Sequence, residues 1–116
     1  MKIVRVYTGD DGESHFEDLS LDLVAEGLVG ALSPLEPATG IRFRETGPDY
    51  DYDWHNAPRR QYVINLRGGV EIEVGDGSRR RLGPGDVLLA EDVTGRGHKS
   101  RAIGTGSRRS IFVTLD

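Results

Sequence analysis

Hydrophobic and polar residues alternate with a period of two through much of the chain. Val70, Ile72 and Val74 alternate with Glu71 and Glu73, which predicts a half-buried strand. Asp76-Gly77 follows directly and predicts a hairpin turn, because both residues tolerate positive φ. Arg81-Leu82 then leads through the turn Gly83-Pro84-Gly85-Asp86 into the apolar run Val87-Leu88-Leu89-Ala90. Near the C-terminus Ile111, Val113 and Leu115 alternate with Phe112 and Thr114. Towards the N-terminus, Ile3-Val4-Arg5-Val6-Tyr7 is β-rich, and Leu19, Leu21 and Leu23 alternate with Ser20 and Asp22. Ile41-Arg42-Phe43-Arg44 is a further strand candidate; one of its two faces must be inside or at an interface, and the pattern does not say which. Only residues 23–32 have helical character. Gly27 and Gly30 each cost about 1 kcal/mol against alanine there, which leaves a strand or an irregular segment equally open. Short strands punctuated by Gly and Pro predict an all-β sandwich or barrel.

Composition narrows this. A chain of 116 residues supports a single core, and no linker, repeat or low-complexity stretch divides it. Sixteen glycines, dispersed along the chain, fit many tight turns. Cysteine is absent, which excludes disulfides, cysteine nucleophiles and thiolate metal sites. No apolar run approaches a membrane helix and no signal-peptide pattern opens the sequence, so a cytoplasmic protein is expected. Residues 1–56 hold 12 acidic and 4 basic side chains, whereas residues 57–116 hold 7 and 11. The arginines of the second half lie among strands and turns without forming a contiguous basic field, so nucleic acid is not an expected partner.

The chemistry concentrates near two of the three histidines. Around His55 the chain reads Asp53-Trp54-His55-Asn56-Ala57-Pro58-Arg59-Arg60-Gln61, running on to Gly68. Around His98 it reads Gly83-Pro84-Gly85-Asp86, then Gly95-Arg96-Gly97-His98. This arrangement resembles the cupin superfamily, the small double-stranded β-helix (jelly-roll) barrels. Their first motif is His-x-His, a turn, and a Glu seven residues before a Gly. Their second is Pro-Gly-Asp opening a strand, then a Gly three residues before a His. The resemblance covers residues 40–103. It implies a metal site at His55, Gln61 and His98, with Gln61 at the Glu position and Ala57 where the family has its second first-motif His.

Two imidazoles and an amide oxygen suit Mn, Fe, Co, Ni or Zn, but all three donors are neutral, so a divalent ion would keep its full charge. The alternative is a metal-free barrel in which the same residues hydrogen-bond a ligand or water. Pro58 favours a turn, which would set His55 and Gln61 on adjacent antiparallel strands. With His55 pointing inward, alternation sends Tyr50, Tyr52 and Trp54 outward. Arg59 and Arg60 are candidates for clamping a carboxylate or phosphate, or are solvated turn arginines. Glu91 and Asp92 precede His98, so either is placed to orient it or act as a base, and Asp92 joins the ligand-binding candidates. His15 lies outside both motifs, and Arg79-Arg80-Arg81 reads as a solvated hairpin face.

The expectation is therefore one cupin domain over residues 1–116. Residues 1–40 would supply N-terminal strands and a dimer arm, 41–103 the motifs, and 104–116 the last strand. Its expected function is action on a small organic molecule by lyase, isomerase or oxygenase chemistry, with a weakly held divalent metal. The alternative is a non-catalytic binding or regulatory barrel. The resemblance further implies a homodimer.

Overall fold

The computed structural model describes residues 1–116, and strands make up nearly all of its regular structure. β1 (Lys2–Thr8), β2 (Ser14–Ser20), β5 (Gly40–Thr46), β7 (Gln61–Arg67), β10 (Val87–Glu91) and β12 (Arg108–Thr114) form one sheet, in the order β2-β1-β10-β7-β12-β5. β6 (Asp51–His55), β8 (Gly69–Glu73), β9 (Arg79–Leu82) and β11 (His98–Ile103) form a second, in the order β6-β11-β8-β9. β3 (Val24–Ala25) and β4 (Ala31–Leu32) pair as a separate small hairpin around a 3-10 turn at Gly27–Val29. Consecutive strands repeatedly change sheets, the habit of a jelly roll. β1 runs parallel to β10, with Val6 opposite Ala90, so early and late segments of the chain share one sheet.

The alternating apolar positions meet between the sheets. Val70, Ile72 and Val74 pack with Val6, Val63, Leu82 and Leu88 in the main core, each less than a tenth exposed. Burying a side chain of this size contributes roughly 1.5–3 kcal/mol, so this layer carries much of the stability. The turns form where the glycines require them: Gly77 has φ +87° at the β8–β9 hairpin, a conformation costly for any side chain with a Cβ.

Two open alternatives are settled here, and one expectation, that of His55 and Gln61 on adjacent strands, needs correction. Residues 23–32 contain no α-helix; Gly27 and Gly30 both adopt positive φ, and the segment turns back on itself as the β3–β4 hairpin. His55 and Gln61 do not lie on neighbouring strands, because β6 and β7 belong to different sheets and residues 56–60 cross between them. On β5 the arginine face is the inner one: Arg42 and Arg44 line the barrel cavity, while Ile41 and Phe43 are 62% and 73% exposed.

Candidate functional site

The two sheets enclose an open cavity of about 690 Å³, within the range of small-molecule sites. His55 ends β6 and His98 begins β11, and the two residues are direct partners across the antiparallel ladder. Gly97 makes this approach feasible. Its φ is +80°, and a Cβ there would collide with the His55 carbonyl. The rings lie 4.4 Å apart between centroids, tilted by 58°.

Both imidazoles have one nitrogen already committed. His55 Nδ1–H donates to the Asp53 carbonyl at 2.7 Å, and His98 Nδ1–H donates to Asp92 Oδ2 at 2.5 Å. Neither Nε2 has a protein partner, and both rings line the cavity. Asp92 is fully buried, and Ser14 Oγ–H donates to its Oδ2 at 2.8 Å. The support behind His98 thus extends to β2, in the N-terminal segment. Burial pushes the His55 imidazole below its ordinary 6.5; the nearby His98 and Arg44 act the same way, against the Asp53 carbonyl and Asp92. His55 is therefore neutral at pH 7, with its Nε2 lone pair free.

A one-residue irregularity decides what else reaches the cavity. His98 pairs with His55, but Ser100 pairs with Tyr52, so β6 spends one extra residue where β11 spends none. Such a bulge reverses the facing of every residue beyond it. Tyr50 and Tyr52, expected to point outward, therefore line the cavity. Tyr52 stacks on His55 at 3.8 Å between centroids, and Tyr50 Oη lies 3.0 Å from Ser100 Oγ. Asp53, expected on the face of His55, is exposed. Trp54 does point outward, where Arg96 and Lys99 lie over its ring.

Among solved structures, the chain resembles the cupin domain of Cnp3 from Schizosaccharomyces pombe. That match has 16% identity and a TM-score of 0.55, and spans 89% of this chain and 73% of that one. The fold is that of a cupin. A second solved structure, protein NMB1881 from Neisseria meningitidis, matches at 17% identity and TM-score 0.50, over 66% of this chain and 75% of that one. No protein-family model and no curated protein matches the sequence.

Within this cupin barrel the sequence-predicted residues separate into two groups. His55, Gln61, His98 and Arg59 line the cavity, with Gln61 and His98 each 7% exposed. Arg60 turns away from it and donates to Glu91 Oε2 at 2.6 Å. Asp92 sits behind His98 as its orienting partner and does not line the cavity. Glu91 is likewise occupied, accepting from Arg5 as well as Arg60. Arg44, Arg108, Tyr50, Tyr52 and Ser14 were not among the candidates. The shared face of Arg42 and Arg44 was the one signal pointing to any of them.

The donor set does not suit a resident divalent metal. No group of three or more His, Cys, Asp and Glu side chains converges anywhere in the molecule. Ala57 offers no donor, and Asp92, the carboxylate nearest His98, lies behind the ring with Oδ2 on Nδ1 and Ser14 and does not line the cavity. Two imidazole nitrogens and one amide would have to hold the ion beside arginines 42, 44, 59 and 108, with no carboxylate in the lining. Like charge and neutral donors both oppose a dication there. The same groups suit hydrogen bonding and proton transfer to an organic ligand.

Proposed function

We propose that this cupin barrel binds a small organic molecule and moves a proton on it, in the manner of a lyase or isomerase. The observation that carries the reading is the paired imidazoles with both Nδ1 atoms occupied, each presenting Nε2 to one cavity. His55, neutral through burial, is the base. His55 also returns the proton it has taken, while His98, its Nδ1–H held by Asp92, accepts a hydrogen bond at Nε2 from a donor group of the ligand. Tyr52 closes one side of His55, and Val63, Val70 and Ile72 give the cavity an apolar wall that limits water. Gln61 adds a neutral hydrogen-bonding group for orienting the ligand.

Deuterium exchange from D2O into a panel of 2-oxo and 3-oxo acids, followed by NMR, tests this directly. Exchange above solvent background, lost in both His55→Gln and His98→Gln, is expected. Exchange equal in wild type and both variants overturns the reading. Elemental analysis of protein prepared without chelator is the second check. Near-stoichiometric first-row metal that disappears in Gln61→Ala would replace proton transfer by metal chemistry.

We further infer that a second copy of the chain covers the outer face of the larger sheet. Two apolar rows cross it, Ile64–Ile111–Phe43 and Tyr62–Val113–Ile41, ending on the edge strand β5. Leu28 and Leu35, both almost fully exposed, stand in the segment that precedes this strand. Exposed apolar side chains of this kind on and beside an edge strand fit self-association. Light scattering is expected to give twice the monomer mass, and Phe43→Glu to give the monomer; a wild-type monomer overturns it.

A further inference from the structure

Two arginines inside the barrel have no counter-charge. Arg108 is only 4% exposed, and its Nε–H donates to Asn65 Oδ1 at 2.7 Å. Arg44, on the adjoining strand, donates Nε–H to Ser110 Oγ at 3.1 Å. Its guanidinium lies over the Phe112 ring, 4.5 Å from the centroid. Each bond uses Nε; both terminal amino groups of Arg108 are left unspent, and those of Arg44 have only the Tyr50 hydroxyl beside them. Directly opposite Arg108 in the ladder, Thr46 Oγ1 is buried with no partner.

The contrast with the outer surface is sharp. Every arginine there except Arg67 has a carboxylate within 4.0 Å. Arg42, Arg44, Arg59 and Arg108 have none, and all four line the cavity, which has no acidic residue in its wall. Burying a charge without a partner is costly, and two like charges side by side cost more. The cost registers at Arg108: burial, then the charge of Arg44, push its guanidinium down from 12.5 to about 10. A surface with carboxylates to spare has withheld them from the one place where desolvation makes them most valuable.

We propose that Arg44 and Arg108 form an oxyanion subsite, and that the molecule handled by the histidines carries a carboxylate or phosphate group that supplies the missing counter-charge. This deepens the small-molecule reading above and rests on it. The terminal amino groups of two anchored guanidiniums present donors to one group of oxygens, the arrangement in which arginine is most selective for carboxylate and phosphate. Thr46 Oγ1 adds a hydroxyl donor at the same end of the cavity. Arg42 and Arg59, nearer solvent, raise the local concentration of anions at the mouth.

The test is calorimetric titration and thermal shift with malonate, inorganic phosphate and neutral malonamide at matched ionic strength. Either anion is expected to bind and raise Tm, malonamide to do neither, and the stronger anion identifies the group. Arg44→Met should weaken binding roughly tenfold or more, as expected for lost charged hydrogen bonds. Arg108→Gln, with its fold checked by circular dichroism, should do the same, whereas Arg80→Met on the outer surface should not. Absence of binding by both anions, or equal affinity in wild type and Arg44→Met, overturns the proposal. The wild-type protein separates the two readings, since His55→Gln should lose exchange and keep anion binding if both hold. Anion binding by wild type without deuterium exchange sinks only the proton-transfer reading. Exchange without anion binding sinks only the subsite.

Discussion

The outer face of the smaller sheet and the interior of the barrel use the same residue in opposite ways. Outside, Glu71 on β8 accepts from Arg81 at 3.0 Å and from Arg101, and Arg79 lies 4.0 Å away. Glu71 is itself buried beneath these side chains, although the alternation with Val70 and Ile72 predicted a solvent-facing position. The arginine stems cover the carboxylate, and the guanidiniums remain in water. Inside, half-buried Arg44 and buried Arg108 lie against aromatic and amide groups with no acid in reach. Arginines that hold the fold together are paired, and of the five left unpaired all but the exposed Arg67 face the cavity. Pairing, more than burial or residue type, separates structural from ligand-directed charge here.

The largest expected effect lies at the one carboxylate buried beside the cavity. Asp92→Ala removes the acceptor shared by His98 and Ser14, and should cost about 3 kcal/mol in a urea titration. A loss below a third of that would make Asp92 peripheral. On the outer side, Glu91→Gln weakens the link between Arg5 and Arg60. Both guanidiniums keep contact with water, so the loss should be near 1 kcal/mol and shrink in high salt.

Arg44→Met should run the other way. Replacing an unpaired, half-buried charge by an apolar chain of similar length is expected to raise ligand-free stability by up to about 1 kcal/mol. Clear destabilisation would mean that Arg44 is structural, and the comparison between inside and outside would fail.

The smallest effect is in pH. His55 is depressed below 6.5, so below that value the unfolded chain binds protons that the folded one resists, and stability falls as pH drops from 7 through 6.5. His55→Gln should flatten this part of the Tm profile. Burial pushes the Glu91 carboxyl up, but bonds from Arg5 and Arg60 outweigh it and hold it below 4.5. Its contribution is therefore complete above pH 4.5 and is lost only as pH falls below it. Glu91→Gln should change the acid limb and leave the region near pH 6 alone.

Much of the fold was legible because it rests on local rules. The alternation at Val70–Val74, the Asp76-Gly77 turn and the turn at Gly83–Asp86 all stand where the pattern put them. His55 and His98 were brought together by the resemblance to the cupin motifs, and Gly97 shows how the fold allows it, in the closeness of two backbones. What escaped was non-local. That β6 and β7 part into different sheets depends on competition among strands far apart in sequence, which no window of residues displays. The inward arginines of β5 broke the usual assumption that the apolar face is the buried one. That assumption fails where the interior is a binding cavity and the exterior offers apolar rows for another surface.

The bulge in β6 has a consequence for how such a barrel can evolve. Were the ladder regular, Asp51 and Asp53 would take the inward positions now held by Tyr50 and Tyr52. Two carboxylates would then join the wall, neutralise its arginines from within and turn anions away. Ligand charge preference can therefore be inverted by a single insertion or deletion that adds or removes strand slack, with every cavity-lining substitution left out of the path. Among distant relatives of this chain, gap positions in that strand would be as informative about ligand class as the residues themselves.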